Sequence, residues 1–272
     1  MKAMEQEHRG KTVLITGASN GFGMEFARLF AEDGFNLVLV ARSTERLREL
    51  GYQLQDEHQL EHVCIITSDL SKPEAPQEVY DKVKQSGIKV DVLVNNAGAG
   101  VYGEFAETDL EHELGIMQLN MNTTVHLTKL FLQDMKQRNE GKILNLASVA
   151  SFMPSPLMTI YAATKAFILS FSEGLANELK ETNITVTALC PGASNTMFFL
   201  RAGAAHTRVA NGPLSEPEDV ALDGYEAMMN GETRIISGLM NKVQVEASNF
   251  MPDMAAAANM RNMMEEEDSY KE

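Results

Sequence analysis

The chain has 272 residues, of which 44% are hydrophobic and 22% are charged, a profile typical of globular proteins and not of disordered or collagen-like ones. Its 38 acidic and 23 basic residues give a formal net charge of −15, which opposes binding to nucleic acid or to an anionic membrane through a broad basic face. An α/β chain of this length folds as one domain by default.

The cysteines and the apolar runs indicate the compartment. Cys64 and Cys190 each lie in an apolar run that predicts a buried strand, a setting typical of reduced thiols and poor for a disulfide or a metal site. Residues 1–10 are polar, and no apolar run approaches the roughly 18 residues that a membrane span needs. We therefore expect a cytoplasmic protein without membrane insertion.

Short apolar runs alternate with longer stretches whose apolar residues recur at helical spacing, which predicts a parallel sheet covered by helices. The six predicted strands are Thr12–Thr16, Asn36–Ala41, 62–67, 90–94, 142–147 and Ile184–Cys190. The predicted helices include one that carries the stripe Phe22, Phe26, Leu29 and Phe30, and others over 107–138 and 159–181. After Gly192 we expect an irregular segment to Pro213, a helix over 216–230, a short β-like piece over 234–237 and a Met-rich tail.

The first strand runs directly into the glycine-rich turn TGASNGFG at residues 16–23, just before the first helix. Glycines allow a sharp turn and let backbone N–H groups approach a pyrophosphate, while the helix N-terminus adds partial positive charge. The spacing GxxxGxG after a first strand predicts a phosphate-binding turn. Taken alone, the glycines could form only a tight turn.

A tyrosine and a lysine are one helical turn apart in the stretch that begins at residue 159. Tyr161 and Lys165 are i and i+4, so both side chains lie on one helix face. An ammonium at about 4 Å contributes about 4 kcal/mol at an effective dielectric near 20, which favours the phenolate and moves the tyrosine toward general acid–base catalysis. The pair alone could also be an ordinary surface pair.

Four motifs, in this order along the predicted elements, resemble those of the short-chain dehydrogenase/reductase family. They are TGxxxGxG at 16–23, NNAG at 95–98, YxxxK at 161–165 and Pro191-Gly192 after the sixth strand. The resemblance covers residues 11–196. It implies a single doubly wound, Rossmann-like parallel sheet flanked by helices, with a dinucleotide-binding and catalytic domain over 1–238. Residues 239–272 depart from the family pattern, and their helix-favouring composition predicts a helical, Met-rich extension of that domain.

The resemblance also implies the catalytic residues. Tyr161 acts as general acid/base beside Lys165, and the family's spacing selects Ser148 over Ser151 and Asn120 over Asn122. Ser148 would hydrogen-bond the substrate oxygen, and Asn120 would hold a water that links Lys165 to solvent.

The cofactor preference is encoded at the end of the second strand. An acidic residue there would bind the ribose hydroxyls of NAD, whereas the guanidinium of Arg42 can grip a 2′-phosphate. We therefore expect NADP(H) in preference to NAD(H), although Arg42 could instead point to solvent. By resemblance Asp69 contacts adenine, Asn95 lines the cleft and Thr196 contacts the nicotinamide amide. The full predicted cofactor-binding set is Gly17, Ser19, Asn20, Gly21, Phe22, Gly23, Arg42, Asp69, Leu70, Asn96, Ala97, Gly98, Tyr161, Lys165, Pro191, Gly192 and Thr196.

Other chemistries find no support in the sequence. The six histidines form no pair with carboxylates at ligand spacing, so no metal site is expected, and no GxSxG elbow indicates a hydrolase. We expect an oxidoreductase that interconverts a carbonyl compound and an alcohol, as a homodimer or homotetramer by resemblance. Two alternatives remain: a non-catalytic NAD(P)-sensing protein of the same fold, and an epimerase or dehydratase, which usually needs a longer second domain.

The expected substrate walls are mostly apolar and indicate a lipophilic carbonyl or alcohol, although they could instead fill the core or a subunit contact. They are Val101, Tyr102, 152–158 and 197–200. The tail from Met228 onward holds 8 of the 17 methionines. Met251, Met254 and Ala258 can share a helical face, so we expect the tail to cover the cleft or a neighbouring subunit, with its acidic end, residues 265–268, in solvent. The alternative is a helix that completes the core.

Overall fold

Seven parallel strands form one sheet in the computed structural model, which describes residues 8–248 and 250–266. The strands are β1 (Thr12–Thr16), β2 (Asn36–Ala41), β3 (Val63–Thr67), β4 (Val92–Asn95), β5 (Gly141–Leu146), β6 (Ile184–Cys190) and β7 (Arg234–Ile236). Their order is β3-β2-β1-β4-β5-β6-β7, and every neighbouring pair is parallel. Strands β2 and β3 are added on one side of β1, and β4 to β7 are added on its other side. This switch between β1 and β4 confirms the doubly wound fold class.

Ten α-helices and two short helical turns connect the strands within the described residues. The helices are α1 (Gly21–Glu32), α2 (Thr44–His58), α3 (Ala75–Gln85), α4 (Leu110–Met117), α5 (Thr123–Arg138), α6 (Thr159–Glu178), α7 (Phe198–Ala202), α8 (Pro217–Met229), α9 (Leu239–Ser248) and α10 (Asp253–Met264). A π-helical turn spans Gln118–Asn122, and a 3-10 turn spans Val149–Phe152. None of the described helices is long and apolar enough to cross a membrane.

Three predicted elements differ from the structure. The single helix expected over 107–138 is α4 and α5 with the π-helical turn between them. The irregular segment after Gly192 contains α7. The count of six parallel strands was wrong by one, because the β-like piece near residue 234 joins the sheet as β7. It has only three residues and starts at the exposed Arg234, so it lacks the apolar run that identifies an inner strand.

The core lies on both faces of the sheet, because successive strand side chains point to opposite faces. Val13 and Ile15 of β1 pack in one apolar cluster with Phe26 of α1. Leu14, between them, packs on the other face with Phe131 of α5. Helices cover both faces of the sheet, so a binding cleft forms among the loops at the carboxyl ends of the strands.

The predicted helical tail is present as α9 and α10, but it presents a different face from the one expected. Met254 is 83% exposed, and Met251 precedes α10 and is also exposed, so the face of Met251, Met254 and Ala258 was the wrong one. The buried face carries Ala256, Met260 and Met264. In the acidic end, Glu265 and Glu266 lie within ion-pair distance of Arg208 and His206, while Glu267 and Asp268 lie outside the described residues.

Candidate active site

A cleft of about 1140 Å³ opens at the carboxyl ends of the inner strands. The predicted site residues that line it are Gly17, Ser19, Asn20, Gly21, Phe22, Arg42, Asp69, Leu70, Asn96, Ala97, Gly98, Ser148, Tyr161, Lys165, Pro191, Gly192 and Thr196. Gly23 and Asn120 are buried behind this lining. The fold therefore brings together, at the carboxyl ends of the strands, residues that are far apart in the sequence.

The glycine-rich turn requires glycine at three positions. Gly17 and Gly21 have φ of +67° and +53°, in the left-handed region that other residues rarely adopt. A Cβ on Gly23 would lie 2.4 Å from the carbonyl oxygen of Gly17 and 2.5 Å from Nδ2 of Asn96. The sequence spacing GxxxGxG therefore reflects both backbone conformation and close packing.

The NNAG turn after β4 locks the glycine-rich turn in place. The hydroxyl of Thr16 accepts hydrogen bonds from the backbone N–H groups of Asn96 (2.9 Å) and Ala97 (3.0 Å), and Nδ2 of Asn96 donates to the carbonyl of Thr16 (2.8 Å). Asn95 was expected to line the cleft, but the structure places it elsewhere. It is buried, and its Nδ2 donates to Thr128 (3.0 Å) and Asn145 (2.9 Å), so it ties β4 to α5 and β5.

The start of α1 fits a pyrophosphate. The helix begins at Gly21 behind an extended Asn20, without a side-chain cap and without an acidic residue in its first turn. Among the residues that the structure describes, no side chain accepts from its first N–H groups, and the start of the helix lines the cleft with the positive end of the helix dipole. These residues would hold the phosphates of a dinucleotide cofactor.

Arg42 and Asp69 lie at the ends of β2 and β3, at the side of the cleft where the adenosine half of a dinucleotide would lie. The Asp69 carboxylate accepts hydrogen bonds from the hydroxyl (2.8 Å) and the N–H (3.2 Å) of Ser71. Burial acts to raise the pKa of Asp69, but these bonds and the nearby cations Arg42 and Lys72 hold it below its ordinary value. Asp69 is therefore an anion in the electrostatic field of the exposed Arg42.

Tyr161 and Lys165 lie on one face of α6, as predicted. Nζ of Lys165 is 5.7 Å from the centroid of the Tyr161 ring and donates a 2.7 Å hydrogen bond to the carbonyl of Leu146. Burial raises the pKa of Tyr161 to about 12, against the opposing effect of the Ser148 hydroxyl. Burial also lowers the pKa of Lys165 to about 8.

The expected lowering of the Tyr161 pKa was therefore wrong. Desolvation of the Tyr161 phenolate outweighs its attraction to the Lys165 ammonium. The ammonium donates its hydrogen bond to the Leu146 carbonyl, and Lys165 is itself only 3% exposed. The phenol keeps its proton at neutral pH, which is the state that a proton donor needs.

Ser148 hydrogen-bonds to Tyr161, and bonds to neighbouring loops and to α6 hold Ser148 and Asn120 in place. Ser148 caps the 3-10 turn: its Oγ accepts from the N–H of Ala150 (3.1 Å), and its N–H donates to Oγ of Ser151 (3.2 Å). Asn120 pairs with both backbone groups of Ala99 (3.0 and 2.9 Å) and donates to Thr164 on α6 (2.9 Å). The π-helical turn presents Asn120 to this loop, a use typical of such turns at functional sites.

The apolar half of the cleft only partly matches the expected walls. Met158, Phe198 and Phe199 line it, whereas Met197 and Leu200 are 44% and 60% exposed. Tyr102 packs edge-on against His206, and Phe152 lies beneath Arg234. The lining residues that sequence reasoning missed include Val209, Met260 and Met264. The i, i+4 spacing of the two methionines was the signal that could have found them.

Comparison with known proteins gives one consistent family. The family model for short chain dehydrogenases matches residues 11–205. An uncharacterized oxidoreductase of Staphylococcus saprophyticus is 32% identical over 192 residues, 70% of this chain and 81% of its own. Dehydrogenase/reductase SDR family member 7B of Rattus norvegicus is 30% identical over 259 residues, 91% of this chain and 76% of its own. The chain belongs to the short-chain dehydrogenase/reductase family.

Another relative, very-long-chain 3-oxoacyl-CoA reductase-A of Danio rerio, is 34% identical over 188 residues, which cover 67% of this chain and 57% of the relative. Membership of the short-chain dehydrogenase/reductase family makes the chain an enzyme of the oxidoreductase class.

Solved structures of short-chain dehydrogenases share the fold and differ in cofactor. One from Sphingobium yanoikuyae in complex with NADPH has 33% identity and a TM-score of 0.80 over 88% of this chain and 92% of its own. Another, from Burkholderia phymatum in complex with NAD, has 28% identity and a TM-score of 0.78 over 88% and 93%.

Proposed function

We propose that this short-chain dehydrogenase/reductase uses NADP(H) to interconvert a lipophilic ketone or aldehyde and the corresponding alcohol. The observation that carries the proposal is the convergence of Tyr161, Ser148 and Lys165 on one cleft, whose other half is the glycine-rich turn. A bound reduced nicotinamide supplies the hydride for this reaction. The protein's own groups supply the proton and the positions.

The proton comes from Tyr161. Its raised pKa, about 12, keeps the phenol protonated at neutral pH, so its hydroxyl donates a proton to a carbonyl oxygen as hydride reaches the carbon. The hydroxyl of Ser148 donates a hydrogen bond to the same oxygen and orients the carbonyl. The Lys165 ammonium, near the Tyr161 ring, stabilises the phenolate that remains. Alcohol oxidation is the reverse sequence, with the phenolate as base.

Preference for NADP(H) is supported by Arg42, which lines the cleft where β2 ends, next to Ser43 and Arg46. A guanidinium can bind a 2′-phosphate through two parallel N–H groups. A lipophilic substrate is supported by the apolar lining from Met158, Phe198 and Phe199. The name of the Danio rerio relative, a very-long-chain 3-oxoacyl-CoA reductase, is consistent with a carbonyl on an apolar chain.

The test is NADPH oxidation against a panel of steroid, acyl, sugar and small aromatic carbonyl compounds. We expect turnover of an apolar member, and its loss in Tyr161→Phe with the NADPH dissociation constant changed by less than about twofold, because only the transferable proton is removed. Tyr52→Phe is the matched control, since Tyr52 is 64% exposed on α2. Near-parental turnover by Tyr161→Phe would contradict the mechanism, and NADPH binding without turnover of any carbonyl would favour the sensing alternative.

A cytoplasmic location is supported by the placement of the two thiols. Cys64 lies in β3 and Cys190 in β6, with four strands between them. Neighbouring strands are about 4.8 Å apart, so these sulfurs are too far apart for a disulfide. Fractionation of cells that express the protein, with an antibody to the chain, tests the location; recovery in a secreted fraction would contradict it.

A homodimer or homotetramer is supported by apolar side chains exposed on the helices that follow β4 and β5. Phe167 on α6 is 42% exposed and stacks on Phe171, and Leu110 on α4 is 62% exposed. Sedimentation equilibrium gives the mass directly, and a monomer at micromolar concentration would contradict the assignment.

A further inference from the structure

Helix α10 turns one face toward the cleft and the opposite face to solvent. Ala256, Met260 and Met264 follow one another at i, i+4 and i+8, and Met260 and Met264 are only 7% and 5% exposed. Met254 on the same helix is 83% exposed. The two buried methionines both line the cleft, so this tail helix forms part of its wall.

The wall that the tail helix completes lies beside the proposed proton donor. Met264 belongs to an apolar cluster with Met158, Ala202 and Ala204, against which the ring of Tyr161 also packs. Phe198, which is 4.9 Å from the Tyr161 ring between centroids, packs against the same cluster. A substrate whose carbonyl reaches Tyr161 would therefore place its remaining groups against these side chains.

Bonds from two separate segments hold the tail helix over the cleft. Arg261 forms a 2.8 Å ion pair with Glu104, in the loop after β4. On the other side, Arg208 donates to the carbonyl of Asn262 (3.0 Å), and the N–H of Val209 donates to the carbonyl of Met263 (2.9 Å). An isolated antiparallel bridge between Thr207 and Glu266 follows. The helix is thus fixed to both rims of the cleft, with Met260 and Met264 directed inward.

We propose that Met260 and Met264 form part of the substrate-binding wall and select large, uncharged, apolar carbonyl compounds over small or charged ones. This inference rests on the proposed function. Thioether side chains are apolar and flexible, so they adapt to bulky apolar groups. A charged group placed against them would lose its hydration without gaining a partner. A small ketone has few apolar groups to place against them, so it gains little from this wall.

The test compares two ketones that differ only in bulk, butanone and benzylacetone, which is butanone that carries a phenyl group. Their KM and dissociation constants are measured for the full chain and for Met260→Ala, Met264→Ala and the double variant. Met254→Ala is the matched control on the same helix. The dissociation constants come from titrations that need no turnover, and NADPH affinity is measured in parallel.

We expect the double variant to weaken benzylacetone binding about tenfold or more, since burial of a phenyl group against the wall is lost. Butanone and NADPH should stay within about twofold, as should all three ligands in Met254→Ala, because exposed positions contribute little. The double variant Met260→Leu, Met264→Leu keeps apolar volume and should restore benzylacetone binding.

Unchanged benzylacetone binding in the double alanine variant would overturn the proposal, and so would an equal loss in Met254→Ala. A parallel loss of NADPH affinity would show that the methionines support the fold and not the substrate wall, and it would also overturn the proposal. A different result would contradict the proposed function alone. If benzylacetone binds to the parent and this binding depends on the two methionines, but the compound is not reduced, the substrate wall is supported and the proposed reaction is wrong.

Discussion

At the scale of single residues, burial moves the proton affinities of Tyr161 and Lys165 in opposite directions. It raises the pKa of Tyr161 to about 12 and lowers that of Lys165 to about 8, because both charged forms lose hydration. At neutral pH the phenol therefore keeps its proton, while the amine is charged but titrates more easily than a free lysine. These protonation states support the proposed donation of a proton by Tyr161 and the proposed role of Lys165 in a proton relay.

Arg42→Asp should reverse the cofactor preference. The substitution replaces a group that grips a 2′-phosphate with one that repels it and suits ribose hydroxyls. Loss of such a charge-assisted pair is worth roughly 1.5 to 3 kcal/mol, so we expect the NADPH dissociation constant to rise about ten- to hundredfold and that of NADH to fall. Titration of both cofactors checks this.

Arg48→Asp is the matched control, because it makes the same charge change at an exposed position of α2 that does not line the cleft. Its effect on NADPH should be small. An unchanged NADPH affinity in Arg42→Asp would mean that Arg42 points to solvent and that Ser19, Asn20 or Arg46 sets the preference.

At the scale of elements, the glycine-rich turn depends on contact between two loops. Gly23 lies against the Gly17 carbonyl and the Asn96 amide, and this amide also holds the end of β1. Gly23→Ala should therefore push the two loops apart. Forced overpacking of this kind costs about 1 to 3 kcal/mol, and we expect a lower melting temperature together with NADPH affinity reduced more than tenfold, as a rough estimate.

Gly174→Ala provides the control for that substitution. A Cβ at Gly174, within α6, meets nothing within 4 Å, so this change should leave NADPH affinity unaltered and raise stability slightly, by up to about 1 kcal/mol, since alanine favours helix. Calorimetry and cofactor titration of both variants give the comparison. Equal behaviour of the two variants would show that close packing at Gly23 is not needed.

The inner strands could be predicted from the sequence, whereas the π-helical turn could not. Inner strands such as β1 and β6 are mostly apolar because nearly all of their residues are buried, so their apolar runs identify them in the sequence. The π-helical turn around Asn120 carries no comparable pattern. It depends on bonds to Ala99 and Thr164, which are formed only in the folded chain.

At the scale of the whole molecule, family spacing selected the proposed catalytic residues that line the cleft, whereas it did not identify the residues of the proposed substrate wall. Ser148 and Tyr161 sit on elements whose order fixes their geometry. The tail helix is different, because which face turns inward is decided by the Arg261–Glu104 pair and by bonds to residues 208 and 209, which are remote in sequence. Methionines recur all around this helix, so composition alone allowed both faces.

The free energy of unfolding of the whole molecule should depend on pH through the titration of Lys165. Its pKa falls from 10.5 to about 8 on folding, so between these values the unfolded chain holds a proton that the folded chain has lost. The unfolding free energy contributed by Lys165 therefore rises with pH through this window, on the order of 3 kcal/mol. Lys165→Met removes this contribution and the buried charge. Compared with the parent, it should gain stability below pH 8 and lose that advantage by pH 10.5.

The comparison must be made as a difference between the two proteins. Burial also raises the pKa of Cys190 and of Tyr161 to about 12, which lowers stability above their ordinary pKa values of 9.0 and 10.0, but both groups are present in parent and variant. Denaturant titrations of each protein across this pH range give the difference directly. A difference that stays constant with pH would mean that Lys165 keeps an ordinary pKa in the folded chain, and that the relay role built on its easy titration is wrong.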